Sequence, residues 1–115
     1  MGEAYRLKLI TMGQSLVKNY IHIVFSTKYR QPLIKEFIAD ELYSFLGGVC
    51  KELECQPIKI GGYYDHVHIL CMLSKKIALM KLLEEIKSHS SKWIKTKDES
   101  LKKYKAEYDE RYVWD

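Results

Sequence analysis

Two prolines, three cysteines and six glycines are all that this 115-residue chain has of those types. Cys50, Cys55 and Cys71 form no C-x-x-C pair, and their low density excludes a disulfide framework. They are expected as reduced thiols in or near a core, as in a cytoplasmic protein. No apolar run approaches the ~18 residues of a membrane span, so no membrane partner is expected. Residues 1–14 hold mixed charge without a clean signal-peptide core and are expected to be a loose extension. There is no internal repeat and no low-complexity linker, which leaves one domain with one modest core.

What is present is apolar and mildly basic. Hydrophobic residues make up 47% of the chain, too many for a disordered polymer, and the formal net charge is +4. That charge is a weak bias toward anionic partners. The most informative stretch is Tyr63-Tyr64-Asp65-His66-Val67-His68-Ile69-Leu70, which runs on through Cys71, Met72 and Leu73. It reads as a buried strand. Alternate side chains of a strand share a face, so His66 and His68 point the same way, and Val67, Ile69, Cys71 and Leu73 fill the other side. Two imidazoles so placed can supply two ligands to one divalent ion, with Asp65 able to orient one of them. The plain alternative is two hydrogen-bonded histidines at a strand end.

Residues 19–27 read as a first strand, with Ile21, Ile23 and Phe25 on one face and His22, Val24 and Ser26 on the other. His22 lies near the histidine pair if the two strands are neighbours. Lys28-Tyr29-Arg30 follows, a pair of cations around an aromatic, suited either to phosphate contact with base stacking or to a solvated loop. The stripe Ile34, Ile38, Leu42, Phe45, Val49, Leu53 predicts a helix over 33–54, weakened at Gly47-Gly48. A short strand around Ile58 and Ile60 precedes a turn expected at Gly61-Gly62, making a hairpin with the histidine strand. Ser74 is the expected N-cap of a lysine-rich helix over 75–96. Its lysines, Lys87 and Lys92 among them, are either a solvated face or a DNA-facing one. Residues 98–115 form an aromatic tail with Tyr108, Tyr112 and Trp114, expected to dock on the domain or on a second subunit. The fold class is α+β: a ferredoxin-like antiparallel sheet with helices on one face and its last strand unaccounted for.

Three motifs together resemble the single-tyrosine insertion-sequence transposases of the HUH endonuclease superfamily. They are residues 20–30 (Tyr20 through Arg30), Asp65-His66-Val67-His68-Ile69-Leu70, and the tail from Glu107 to Asp115. The segment Lys87-Ser88-His89-Ser90-Ser91-Lys92 also fits, and the likeness runs over about residues 15–115, with 15–97 as the domain and 98–115 as the tail. The resemblance implies a homodimeric, metal-dependent nuclease and strand transferase acting on hairpin-bearing single-stranded DNA. It assigns His66 and His68 to a Mg²⁺ or Mn²⁺ ion; Lys28, Arg30, Lys87 and Lys92, read from the basic segments above, are the expected DNA contacts. Members of the family use a tyrosine on a later helix to attack the scissile phosphate.

This chain departs from that pattern. The family's block between the lysine-rich helix and the tail carries a strand and a Tyr-x-x-x-Gln helix, whose tyrosine is the nucleophile and whose glutamine completes the metal site. No Tyr-x-x-x-Gln occurs in the sequence. Three readings follow: an active transposase with Tyr104 as a substitute nucleophile, a family member that lost cleavage and binds metal weakly, or a non-catalytic ferredoxin-like module that binds nucleic acid or protein.

Overall fold

A computed structural model describes residues 18–97 and 113–115. Within them the order is β1 (Tyr20–Ser26), a 3₁₀ turn (Lys28–Arg30), α1 (Glu36–Glu52), β2 (Pro57–Tyr63), β3 (His66–Met72) and α2 (Leu79–Lys97). The three strands form one antiparallel sheet in the order β1-β3-β2. The histidine strand is therefore central, with β1 and β2 on either side. The expected α+β class is the observed one, with a three-stranded antiparallel sheet and two helices among the described residues.

Alternation along the strands divides the sheet into two faces. Ile23, Phe25, Val67, Ile69 and Cys71 are buried, and they pack with Ile38, Leu42, Leu46 and Val49 of α1 and Leu82, Ile86 and Ile94 of α2 in one core. Burying a side chain of this size contributes roughly 1.5–3 kcal/mol. Phe45 and Trp93 stack across the two helices with ring centroids 5.3 Å apart. The opposite sheet face carries His22, Val24, His66, His68 and Leu70, none of them fully buried.

Several local expectations shift. The first helix begins at Glu36, later than its apolar stripe predicts, because the Ile34 amide donates to the Tyr64 carbonyl (3.0 Å) and Lys35 is extended. Gly47-Gly48 does not end it. Gly47 sits against β2, where an added Cβ would meet Ile60 Cδ1 at 3.5 Å. The helix closes with a paired C-terminal motif: Glu54 N–H donates to Lys51 O (2.9 Å) and Cys55 N–H to Cys50 O (2.8 Å). Glu54 takes the left-handed conformation this needs, at φ 61°.

The hairpin turn falls at Tyr64-Asp65, and both glycines lie inside β2. Gly62 is there because a Cβ would come within 2.3 Å of His66 O and 2.9 Å of Val67 Cα. Ser74 does not cap a helix. Its hydroxyl accepts from Lys76 N–H (3.1 Å) in a local turn, and α2 starts only at Leu79.

Residues 113–115 of the tail dock on their own chain. Thr27 N–H donates inward to Asp65 O (2.9 Å), so Ser26 and Lys28 present their backbone groups on the outer edge of β1. There Lys28 N–H donates to Val113 O (2.8 Å) and Asp115 N–H to Ser26 O (2.7 Å). Trp114 is fully buried, and its indole donates to Ser90 Oγ at 2.9 Å; Val113 N–H donates to Ser91 Oγ. Beyond that contact the outer edge of β1 pairs with no other strand among the described residues. A groove of about 390 Å³ follows it, lined by Ile21, Val24, Leu79, Leu83 and Lys87 among others. Residues 1–14 and the tyrosines Tyr104, Tyr108 and Tyr112 lie outside the described residues.

Candidate metal and nucleic-acid site

Two-residue spacing on β3 brings His66 and His68 together on the open face, with ring centroids 4.9 Å apart and planes at 76°. Each ring has a partner at Nδ1. His66 Nδ1 lies 2.8 Å from Asp65 Oδ1, and His68 Nδ1 lies 3.3 Å from His22 Nε2. An imidazole whose Nδ1 is so engaged has Nε2 left to bind something else. Among the described residues no group of three or more metal-ligating side chains forms. The pair could therefore offer an ion two imidazole ligands, with the rest of its coordination left to other donors.

Asp65 links this pair to the turn after β1. Its Oδ2 accepts from Arg30 Nε at 3.0 Å while Oδ1 serves His66. The hydrogen bond with His66, then that with Arg30, holds its carboxyl below the usual carboxylate range. Tyr29 and Arg30 reach this arrangement through left-handed backbone, at φ 58° and 54°. For non-glycine residues that conformation costs roughly 1–2 kcal/mol each. The Arg30 side chain remains 64% exposed beside the site.

Next to the pair lies a cleft of about 390 Å³ between His22, His68 and Leu70 on one side and Lys59, Gly61 and Gly62 on the other. Gly61 stands directly across from His68 in the strand register. A Cβ there would meet nothing within 4 Å, so the missing side chain leaves space and relieves no clash.

The four cations singled out from the sequence do not share one place. Arg30 is at the histidine site. Lys28 is half-buried at the tail contact, next to β1. Lys87 donates from Nζ to the Asp115 backbone oxygen at 2.8 Å and lies over the Phe25 ring. Lys92 is exposed on α2, the helix that covers the other face of the sheet. His89 stays exposed, 3.4 Å from Glu85 on its own helix.

A family model described as "Transposase IS200 like" matches residues 15–115. The chain belongs to this family. A crystal structure of a transposase candidate from Deinococcus radiodurans R1 superposes with a TM-score of 0.75 at 19% identity, covering 86% of this chain and 74% of that one. At that identity the likeness speaks for the fold. None of the curated proteins compared with the chain matches it. No described helix of this IS200-like chain is long and apolar enough to cross a membrane.

The roles of Asp65 and His22 were open to sequence reading through adjacency and strand parity. Those of Ser90 and Ser91 were not. Their partners, Trp114 and Val113, lie more than twenty residues away, beyond the reach of any local pattern.

Proposed function

We propose that this chain is a DNA-binding member of the IS200-like transposase family that holds a divalent ion on His66 and His68, and does not itself form a tyrosyl–DNA bond. The observation that carries the metal reading is the pairing of both Nδ1 atoms, which leaves two Nε2 atoms of neighbouring rings on an open face. A Mg²⁺ or Mn²⁺ ion bound there supplies charge neutralisation at a phosphate oxygen. With two protein ligands it is held weakly, because such ions take six mainly oxygen donors and retain their waters.

The chain's own groups then divide the work. His66 and His68 bind the ion. Asp65 orients His66 and anchors Arg30, whose exposed guanidinium can meet a phosphate of a single-stranded DNA hairpin. Lys59 stands at the rim of the adjoining cleft. Lys28 and Lys92 add positive charge farther off, and Lys87 does so near the outer edge of β1. That edge, with its apolar groove, is where a second copy pairs to make a homodimer.

The absence of strand transfer rests on the sequence, which offers no Tyr-x-x-x-Gln. Cleavage needs a nucleophile in line with an activated phosphate, and a misplacement of ~1 Å can cost about a hundredfold. Calorimetry with Mn²⁺ tests the site: His66→Ala/His68→Ala must abolish binding, and unchanged affinity sinks the metal reading. Labelled hairpin single-stranded DNA with Mn²⁺ tests the chemistry. The expected result is retention that weakens with salt and no adduct on denaturing electrophoresis. An adduct lost in Tyr104→Phe installs Tyr104 as the nucleophile.

A further inference from the structure

We infer that His22 is a positioning residue for His68, accepting the His68 Nδ1 proton so that Nε2 is presented as a lone pair. This rests on the reading of the histidine pair as a metal site. In the register of β1 against β3, Val24 faces His68 and His22 faces Leu70. His22 therefore reaches His68 along the diagonal, within range of a long side chain. The rings lie nearly parallel, with centroids 5.4 Å apart and planes at 28°, and the contact is His22 Nε2 to His68 Nδ1 at 3.3 Å.

Two neutral imidazoles can share that contact in two ways. If His68 Nδ1–H donates to His22 Nε2, then His68 Nε2 is unprotonated and can ligate. If His22 Nε2–H donates instead, His68 carries its proton on Nε2 and cannot. His66 shows the first arrangement with a stronger acceptor, since a carboxylate oxygen can only accept its Nδ1–H. The two rings thus become ligands through matching supports: Asp65 from the turn behind His66, and His22 from the neighbouring strand beside His68.

The contact also argues against His22 as a third ligand. Its Nε2 faces the Nδ1 of His68, the nitrogen opposite the one left for the ion, and no three-residue metal cluster forms among the described residues. His22 is exposed, so its replacement leaves the core untouched.

Long-range ¹H–¹⁵N correlation spectra of the metal-free full chain, at a pH where the imidazoles are neutral, read the tautomers directly. The wild type is expected to hold His68 as the Nδ1–H form. His22→Phe keeps a stacked ring without an acceptor, and His68 is expected to move to a tautomer mixture. Its Mn²⁺ affinity by calorimetry is expected to fall about tenfold, at the low end of the effect of losing a supporting partner because the acceptor is neutral. His22→Gln offers an amide oxygen to the same proton and is expected to recover most of that loss. A wild-type His68 in the Nε2–H form overturns the role, as does an unchanged affinity in His22→Phe. Loss of binding in His66→Ala/His68→Ala alongside an unchanged His22→Phe overturns this inference alone, whereas unchanged binding in that double variant removes the metal reading beneath it.

Discussion

Trp114 meets Phe25 edge to face, with ring centroids 4.7 Å apart and planes at 87°. The contact joins the next-to-last residue of the chain to the strand beside the histidines. Val113 and Trp114 are thereby part of the core, and their attachment bears on the site through Ser26, Thr27 and the turn that holds Arg30.

Trp114→Ala is expected to destabilise the fold by about 3–5 kcal/mol, the usual cost of removing a large buried aromatic. Ser90→Ala removes the acceptor of the indole N–H, together with the bond the hydroxyl donates to the Ile86 carbonyl (2.6 Å), and is expected to cost about 1–3 kcal/mol. Urea unfolding of the two variants checks both the sizes and the order.

The two glycines of β2 should respond in opposite ways. Gly62→Ala forces a methyl group against the backbone of His66 and Val67 and is expected to cost several kcal/mol, beyond the common 0.5–3 kcal/mol of single substitutions. Gly61→Ala enters open space beside His68. It should leave the melting temperature almost unchanged, and calorimetric scans of the pair decide the matter.

Glu54 is a non-glycine residue at the left-handed position closing α1. Glycine there relieves the steric cost, so Glu54→Gly is expected to raise stability by about 0.5–1 kcal/mol after the entropy it adds to the unfolded chain. The exposed ion pair with Lys76 is lost in the exchange, and such pairs contribute about 0–1 kcal/mol. Chemical denaturation measures the net change.

Burial, with Cys71 and Cys55 beside it, pushes the Cys50 thiol from 9.0 up to about 12. Cys71 is raised as well, again chiefly by burial. The native chain should resist alkylation by iodoacetamide at pH 8 and react only once unfolded. Between about pH 9 and 12 the unfolded Cys50 has lost a proton that the folded one keeps, so stability falls as pH rises through that window. Mass spectrometry of the labelled protein and a denaturation series in pH test the two statements.

Asp65→Asn keeps the size of the side chain but removes the charge shared by Arg30 and His66. If the pair holds an ion, Mn²⁺ affinity should fall about 10–100-fold, the usual cost of losing a ligand's supporting partner. Calorimetry on the folded variant is the check.

Much of this was legible along the chain because it depends on short periods. Strand parity alone put His66 and His68 on one face and His22 on the matching face of β1, and helical spacing located both helices. Boundaries slipped where a hydrogen bond to a distant residue competed with the local pattern. The Ile34 amide goes to Tyr64, and the turn moved past Gly62 because that glycine was needed for close backbone approach and not for a bend.

The order β1-β3-β2 was decided only by tertiary structure, and with it the meeting of His22 with His68 across 46 positions. So was the fate of the basic residues. A lysine in sequence is a charge with a long reach; the fold gave Arg30 to Asp65 and Lys87 to the terminal backbone. Composition and spacing determine what a segment can pair with, because those preferences act within a few residues. Which partner it obtains is set by the packing of the whole chain, since the core must close around Trp114, Phe25 and the helices before any side chain on the open face has a fixed neighbour.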